Sequence, residues 1–345
     1  MKSAVDTPAV CAHANRGKRR PVMTNPNATT RRKPGAGPAL ALGTMNFGKR
    51  TPEPESERIV RRALERGIQV YDTANAYNAG ASERILGRAL GRDRSRVVVS
   101  TKAGIGLAPA RPEGLSPDAM KRALEGSLAR LGTDVVDIYY LHVPDRATPV
   151  ERTVEAMGEL IASGQVRTWG VSNYASWEIL EMCHLADHAG MARPTVAQVL
   201  YNALHRQLDI EYFAFARRYG VYTVTYNALA GGLLTGRHNF GERPEKGTRF
   251  DANPMYERRY WTRSMFERVE QLMSIARDEG CSLVELAYAW VAAQADVDSV
   301  LLGPATVEQL DQALDAVGRE LSPTTRKRVD DAYRDFCGTD TNYVR

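Results

Sequence analysis

Residues 97–142 decide the fold: Val97-Val98-Val99-Ser100-Thr101-Lys102, a segment opened by Ser116-Pro117 and closed by Gly132, then Val136-Asp137-Ile138-Tyr139-Tyr140-Leu141-His142. Two apolar runs of strand length flank a segment punctuated as a helix. Ser116 is its N-cap, Pro117 its first helical residue and Gly132 its stop. Met120, Ala123, Leu124, Leu128 and Leu131 recur at helical spacing and form one buried face. A strand that returns through such a crossover runs parallel to the first.

The same alternation extends in both directions. Strand-like runs fall at 38–44, 69–72, 166–171, 195–199, 222–226 and 299–302, with helical patterns near 55–66, 82–90, 148–164, 176–189 and 208–219. Between the seventh and eighth runs lie a polar loop, about 232–258, and helices near 262–278 and 282–293. Thr306 with Gln309 spells a capping box for the next helix, and a last helix covers about 322–336. Eight such units predict an α/β fold, a (β/α)8 TIM barrel with a long loop after strand seven and a C-terminal helix and tail. The competing doubly wound sheet lacks its signature. Gly35-Ala36-Gly37 and Gly104-Ile105-Gly106 both miss the third glycine of G-x-G-x-x-G, so a dinucleotide bound here is not bound by that route.

The formal charge of +5 is unevenly spread. Residues 1–33 hold eight of the 46 basic residues and one of the 41 acids, leaving 38 basic and 40 acidic residues, a net of −2. The barrel, 38–345, is therefore near neutral and carries no nucleic-acid footprint. Residues 1–37 read as a disordered basic tail, rich in Ala, Pro, Asn, Thr and Arg. The Arg19-Arg20 pair is not followed by the apolar stretch of an export signal. A start at Met23 would shorten the tail, and a transit peptide is the alternative reading of it. No apolar run approaches the roughly 20 residues that span a bilayer. Four scattered cysteines without a CxxC pair suit a reducing cytosol, so a cytoplasmic location is expected and a structural zinc site is not.

The strand ends carry the chemistry. Asp72 closes the second run, Lys102 the third and His142 the fourth, and Tyr77 follows Asp72 in the next loop. Each alone has a bland reading as a turn starter, a solvated strand end or a satisfied polar group. In a parallel barrel all four converge on the C-terminal mouth. A tyrosine with an ordinary pKa of about 10 gives up its proton more easily beside an ammonium, so Lys102 is expected to lower Tyr77. Asp72 would hold Lys102, and His142 would orient a substrate oxygen toward Tyr77. The set suits protonation of a carbonyl oxygen while hydride arrives at carbon. A metal-dependent hydrolase ranks far behind, since only His142 of six histidines ends a strand.

This arrangement resembles the aldo-keto reductase family. The likeness runs from Leu40 to the end and is carried by Leu42-Gly43-Thr44-Met45, Asp72-Thr73-Ala74-Asn75-Ala76-Tyr77, Ser82-Glu83-Arg84-Ile85-Leu86-Gly87, Gly170-Val171-Ser172-Asn173, and Gln198 with Tyr201-Asn202. Within the family it is most similar to the aflatoxin-aldehyde and succinic-semialdehyde reductase branch, through 201–207, 229–236, 256–261 and Asn342-Tyr343-Val344-Arg345. Potassium-channel β-subunits share much of the scaffold. The resemblance implies a small-molecule carbonyl substrate, NADP (as NADPH) as cofactor, with NAD left open, and reduction of an aldehyde or ketone with Tyr77 as proton donor. It leaves a homodimer open. Two other readings stay within its reach: a ketone reductase of sugar or secondary-metabolite biosynthesis, and a slow-turnover, nucleotide-sensing regulatory subunit.

By position, the resemblance implies that Ser172, Asn173 and Gln198 hold the nicotinamide carboxamide and that Tyr226 stacks on its ring. Gly43, Thr44, Met45 and Asp72 are likewise implied to bind the cofactor. Asn227, Ala228, Leu229, Gly231, Leu233 and Arg237 belong to a strap over the pyrophosphate. Arg249, Gly303, Thr306 and Gln309 would meet the adenosine end. Many family members carry a basic residue where this chain has Ala305, an Asn where it has Ala313, and a Pro where it has Ala228. Besides Tyr77 and His142, Tyr256, Arg259 and Arg345 are the residues implied to bind an anionic substrate end, since guanidinium groups grip carboxylates through two hydrogen bonds.

Overall fold

The computed structural model describes residues 31–33, 37–108 and 112–337. Eight strands close in sequence order into a barrel, with every neighbouring pair parallel. They are β1 (Ala39–Gly43), β2 (Val70–Asp72), β3 (Val98–Ala103), β4 (Val136–Leu141), β5 (Val166–Ser172), β6 (Val196–Leu200), β7 (Tyr222–Tyr226) and β8 (Ser299–Leu302). The surrounding helices are α1 (Glu53–Glu65), α2 (Ala81–Leu90), α3 (Pro117–Leu131), α4 (Val150–Ala162), α5 (Ser176–His188), α6 (Tyr212–Tyr219), α7 (Pro254–Tyr260), α8 (Arg263–Asp278), α9 (Leu283–Ala293), α10 (Val307–Val317) and α11 (Pro323–Cys337). None is long and apolar enough to cross a membrane.

Strand alternation divides the core in two. In β3, Val99 and Ala103 pack into the large layer between barrel and helices, while Val98 joins Ile138, Tyr140, Val196, Tyr222 and Val224 inside the barrel. Ser100 and Lys102 share the inward face with Val98, because side chains two apart on a strand point the same way. Helix α3 begins and ends where Ser116 and Gly132 predict. The Ser116 side chain accepts from the Ala119 N–H, and Gly132 adopts φ 64°. Glu83, fully buried on α2, accepts from Thr101 Oγ1 at 2.5 Å and from Arg130 Nε at 2.6 Å, tying two helices to β3. Gly87 lets α2 approach α3, since a β-carbon there would lie 2.4 Å from the Leu131 carbonyl oxygen.

Three features differ from the sequence reading. Helix α7 begins inside the polar stretch 232–258 and runs past its end, opened by Pro254 and turned inward by buried Tyr256 and Tyr260. The capping box at Thr306 is incomplete. Thr306 Oγ1 accepts from Gln309 N, but the Gln309 side chain accepts from Ala305 N instead of the Thr306 backbone. Finally, Arg31 and Arg32, which composition groups with the basic tail, lie against the base of the barrel. Arg32 N donates to Asp298 Oδ1 at 2.7 Å, its guanidinium donates to the Ala292 and Gln294 carbonyls ending α9, and Arg31 Nη1 donates to Val221 O.

Asp298 is the buried receiver of this contact and also accepts from Thr223 N at 2.8 Å. Its removal strands two donors, so Asp298→Ala is expected to cost about 3 kcal/mol and to lower Tm by several degrees. An unchanged melting curve by circular dichroism would contradict this account of the barrel base.

Candidate active site

The four strand-end residues meet at one point. Lys102 reaches through the mouth with its ammonium fully buried and forms an ion pair with Asp72 Oδ1. It also donates to Thr73 O at 2.7 Å and to Tyr77 Oη at 3.3 Å. Asp72 Oδ2 accepts from Ser100 Oγ at 2.7 Å and from Gln198 Nε2 at 2.9 Å. The His142 ring stands edge-on to Tyr77, with centroids 5.8 Å apart, and its Nδ1 is buried without a partner among the described residues. Such an orphaned polar atom at a cleft is a place for a bound group to be received.

Local backbone puts Tyr77 there. Asn78, Ala79 and Gly80 follow it with φ of 52°, 52° and 79°. A run of left-handed residues is costly for side-chain-bearing positions and turns the chain sharply. Asn78 Nδ2 pins the turn to the Met45 and Phe47 carbonyls. Below it, Ser82 Oγ lies 2.7 Å from Thr44 Oγ1 and 3.0 Å from Thr73 Oγ1, locking the β1 and β2 ends together.

The electrostatics correct one expectation. Burial is the largest influence on Tyr77 and raises it above the ordinary phenol value, while Lys102 pulls it down and Asp72 pushes it up. The net direction is upward, opposite to the lowering expected from Lys102 alone, because desolvation of the phenolate outweighs one ammonium. Tyr77 is thus kept as the proton-bearing phenol. Burial would also strip Lys102 of its proton, but Asp72 and Tyr77 hold it above the ordinary lysine value. His142 is pushed down to about 3, first by burial and then by the Lys102 charge, so it is a neutral imidazole.

Beside this centre lies a shelf of amide groups. Asn173, at φ 65°, donates through Nδ2 to His142 O and to Ser172 Oγ, and its Oδ1 accepts from Tyr226 Oη at 2.7 Å. Ser172 and Gln198 are buried alongside. Next comes the strap. Asn227 Oδ1 accepts from Gly231 N at 2.6 Å, Asn227 Nδ2 donates to Tyr260 Oη, and Gly231 and Gly232 take φ 71° and 105°. A β-carbon on Gly231 would strike the Tyr256 ring at 2.7 Å, so only glycine allows the strap to close on that ring. Ala228 and Leu233 are buried, and Leu229 is packed against the core.

Further out, Arg249 donates to Met45 Sδ and to Asn46 Oδ1, and Asn46 donates to the Gly303 and Pro304 carbonyls. Arg50 donates to Gly247 O, and burial first, then the charges of Arg249 and Arg237, lower its pKa. None of these three arginines is ion-paired with a carboxylate among the described residues. Gly43 admits the Leu301 side chain, 3.2 Å from where its β-carbon would be. Thr306 and Gln309 sit at the first turn of α10. Arg259 lies over the Tyr256 ring, 5.9 Å from its centroid, and its charge opposes the burial that raises Tyr226 above the ordinary phenol value. Arg345 lies outside the described residues.

Sequence reasoning missed Ser100, Asn46 and Arg50. Ser100 was findable as the inward neighbour of Lys102 two positions back. Asn46 and Arg50 belong to an irregular loop and gave no periodic signal.

A family model described as the aldo/keto reductase family matches residues 39–334. The chain is 39% identical to "Aldo-keto reductase family 7 member A3" of Homo sapiens, over 81% of this chain and 89% of that protein. It is 38% identical to "Aflatoxin B1 aldehyde reductase member 2" of Homo sapiens, over 89% of each. It is 33% identical to "Probable voltage-gated potassium channel subunit beta" of Arabidopsis thaliana, over 81% and 87%.

A neutral His142 has a direct signature. Its ring should take up no second proton by NMR between pH 8 and about pH 4.5, well below the ordinary midpoint of about 6.5. The unfolded chain takes up that proton below about 6.5 and the folded one resists it to about 3, so this histidine withdraws stability as pH falls through that interval. A midpoint near 6.5 would contradict the buried, neutral assignment.

Proposed function

The chain belongs to the aldo/keto reductase family, and from that premise we propose that it is an NADPH-dependent reductase of aldehydes or ketones with Tyr77 as proton donor. The observation that carries the reading is the Tyr77–Lys102–Asp72 contact, with Lys102 and Asp72 buried, beside the Nδ1 of His142 that has no partner among the described residues.

The residues fit a dinucleotide. The glycine-bearing strap allows close backbone approach, and three guanidinium groups without acidic partners among the described residues suit phosphate groups. Ser172, Asn173 and Gln198 would hold the carboxamide, Tyr226 would face the ring, and Arg237, Arg249 and Arg50 would meet the phosphates. Arg249 and Arg50 supply positive charge near the position where Ala305 offers none, which favours NADPH over NADH. The cofactor, when bound, supplies hydride to the substrate carbon.

The rest belongs to the chain. His142, neutral, donates a hydrogen bond to the carbonyl oxygen and fixes its direction. Tyr77, held as the phenol, passes its Oη proton to that oxygen as negative charge develops there. Lys102 stabilises the phenolate left behind, and Asp72 keeps the lysine charged and immobile. Burial keeps bulk water away from the exchange. The substrate is proposed to be a small aldehyde bearing a carboxylate or another polar group, gripped by Tyr256 and Arg259 with Arg345 completing the site.

NADPH oxidation against a panel of charged and uncharged aldehydes and ketones tests the proposal. Tyr77→Phe should lower turnover about a thousandfold while leaving NADPH binding intact. Arg259→Ala should raise KM for carboxylated aldehydes about tenfold and spare uncharged ones. Undiminished turnover in Tyr77→Phe would refute the donor assignment. Tight NADPH binding with no carbonyl-dependent oxidation in the unaltered chain would favour a nucleotide sensor.

A further inference from the structure

One polar group at the centre takes no part in the proton transfer itself and lies on the hidden side of Asp72. Ser100 is buried on β3, two residues before Lys102 and in register with Asp72 across the β2–β3 pair. Its backbone carbonyl accepts from Thr73 N at 2.9 Å, which holds the strand end. Its hydroxyl donates to Asp72 Oδ2 at 2.7 Å. Gln198 Nε2 donates to the same oxygen at 2.9 Å, while Lys102 occupies Oδ1. A carboxylate has about four acceptor positions. Two donors on Oδ2 from opposite sides of the barrel fix its plane and draw negative charge away from Oδ1, the oxygen facing the ammonium. A gap the size of about one water lies beneath, lined by Asp72, Ser100, Tyr140, Gln198, Tyr222 and Ser299 among others.

We infer that Ser100 is a positioning residue for the proton-transfer centre: its hydroxyl, with the Gln198 amide, orients Asp72 and draws charge from it, so that Lys102 keeps the greater part of its positive field for Tyr77. This rests on the reading of Tyr77 as proton donor. Without the hydroxyl, more negative charge stays on Oδ1 and neutralises Lys102 more fully. The phenolate at Tyr77 then becomes less stable and the phenol a poorer donor. The other groups facing this centre are Tyr140 from β4, His142 just after it, Tyr226 from β7 and Tyr256 from α7; none of them bonds to Asp72.

An isosteric pair separates this role from packing. Ser100→Thr keeps the hydroxyl and Ser100→Val replaces it with a methyl that also fills the gap against water. Ser100→Val should lower kcat about tenfold and move the alkaline limb of the kcat/KM profile for carbonyl reduction up by about half a pH unit. Ser100→Thr should stay within about twofold of the unaltered protein, and NADPH affinity by fluorescence should be the same in both. If Ser100→Val does not fold, Ser100→Cys, a weak donor of nearly the same size, takes its place with the same expected direction. Equal loss in the valine and threonine variants, or a limb that stays in place or moves down in Ser100→Val, would overturn the inference. Undiminished turnover in Tyr77→Phe would instead overturn the underlying donor assignment.

Discussion

Everything at the mouth of this barrel depends on one buried charge, the Lys102 ammonium. An unpaired ammonium in such a place would be lost to desolvation, so the fold must supply a partner at hydrogen-bond range. Asp72, one strand away, is that partner, and the Thr73 carbonyl accepts a second hydrogen bond from the same ammonium. The pair in turn needs its own support: Ser100 and Gln198 on the far oxygen, and the Thr44–Ser82–Thr73 hydroxyl cluster that holds the β1 and β2 ends. Breaking any tier leaves a buried charge less well compensated. That is why a polar constellation can sit in an interior otherwise filled by Val98, Ile138, Tyr140 and Val224.

The pair also sets how the neighbouring groups behave. Tyr77 is part-buried, and the loss of solvent around its hydroxyl alone would make it a weaker acid. Lys102 opposes that effect without reversing it, which leaves a protonated phenol 3.3 Å from a fixed positive charge. The same positive charge helps to keep His142 neutral. A phenol that holds its proton until charge develops beside it, next to an imidazole able to donate but not to titrate near neutrality, matches the demands of carbonyl reduction.

Much of this was legible in the sequence, for a physical reason. A barrel strand must be apolar along its length, so Asp72, Lys102 and His142 stand out where apolar runs stop. Helix α3 was readable because Ser116, Pro117 and Gly132 each have a conformational reason to sit at a helix end. Other features were hidden because their residue types are ambiguous. Ser100 inside a strand looks like any small polar residue until its register with Asp72 is known. Arg31 and Arg32 have the composition of a tail, and only the fold brings Asp298 beneath them. Helix α7 lay hidden in a polar stretch because only two of its residues, Tyr256 and Tyr260, face inward. The upward shift of Tyr77 came from the loss of solvent around its hydroxyl in the fold, which no residue pattern reports.

The central claim is that Lys102 and Tyr77 act as one unit, and a double-mutant cycle tests it most directly. Single-turnover rates of carbonyl reduction would be measured for Tyr77→Phe, Lys102→Met and the double variant at saturating NADPH. If the lysine works through the phenol, the double variant should be no more than about threefold slower than the worse single variant, because groups that act as a unit are strongly non-additive. Rate losses that multiply across the two substitutions would contradict the account.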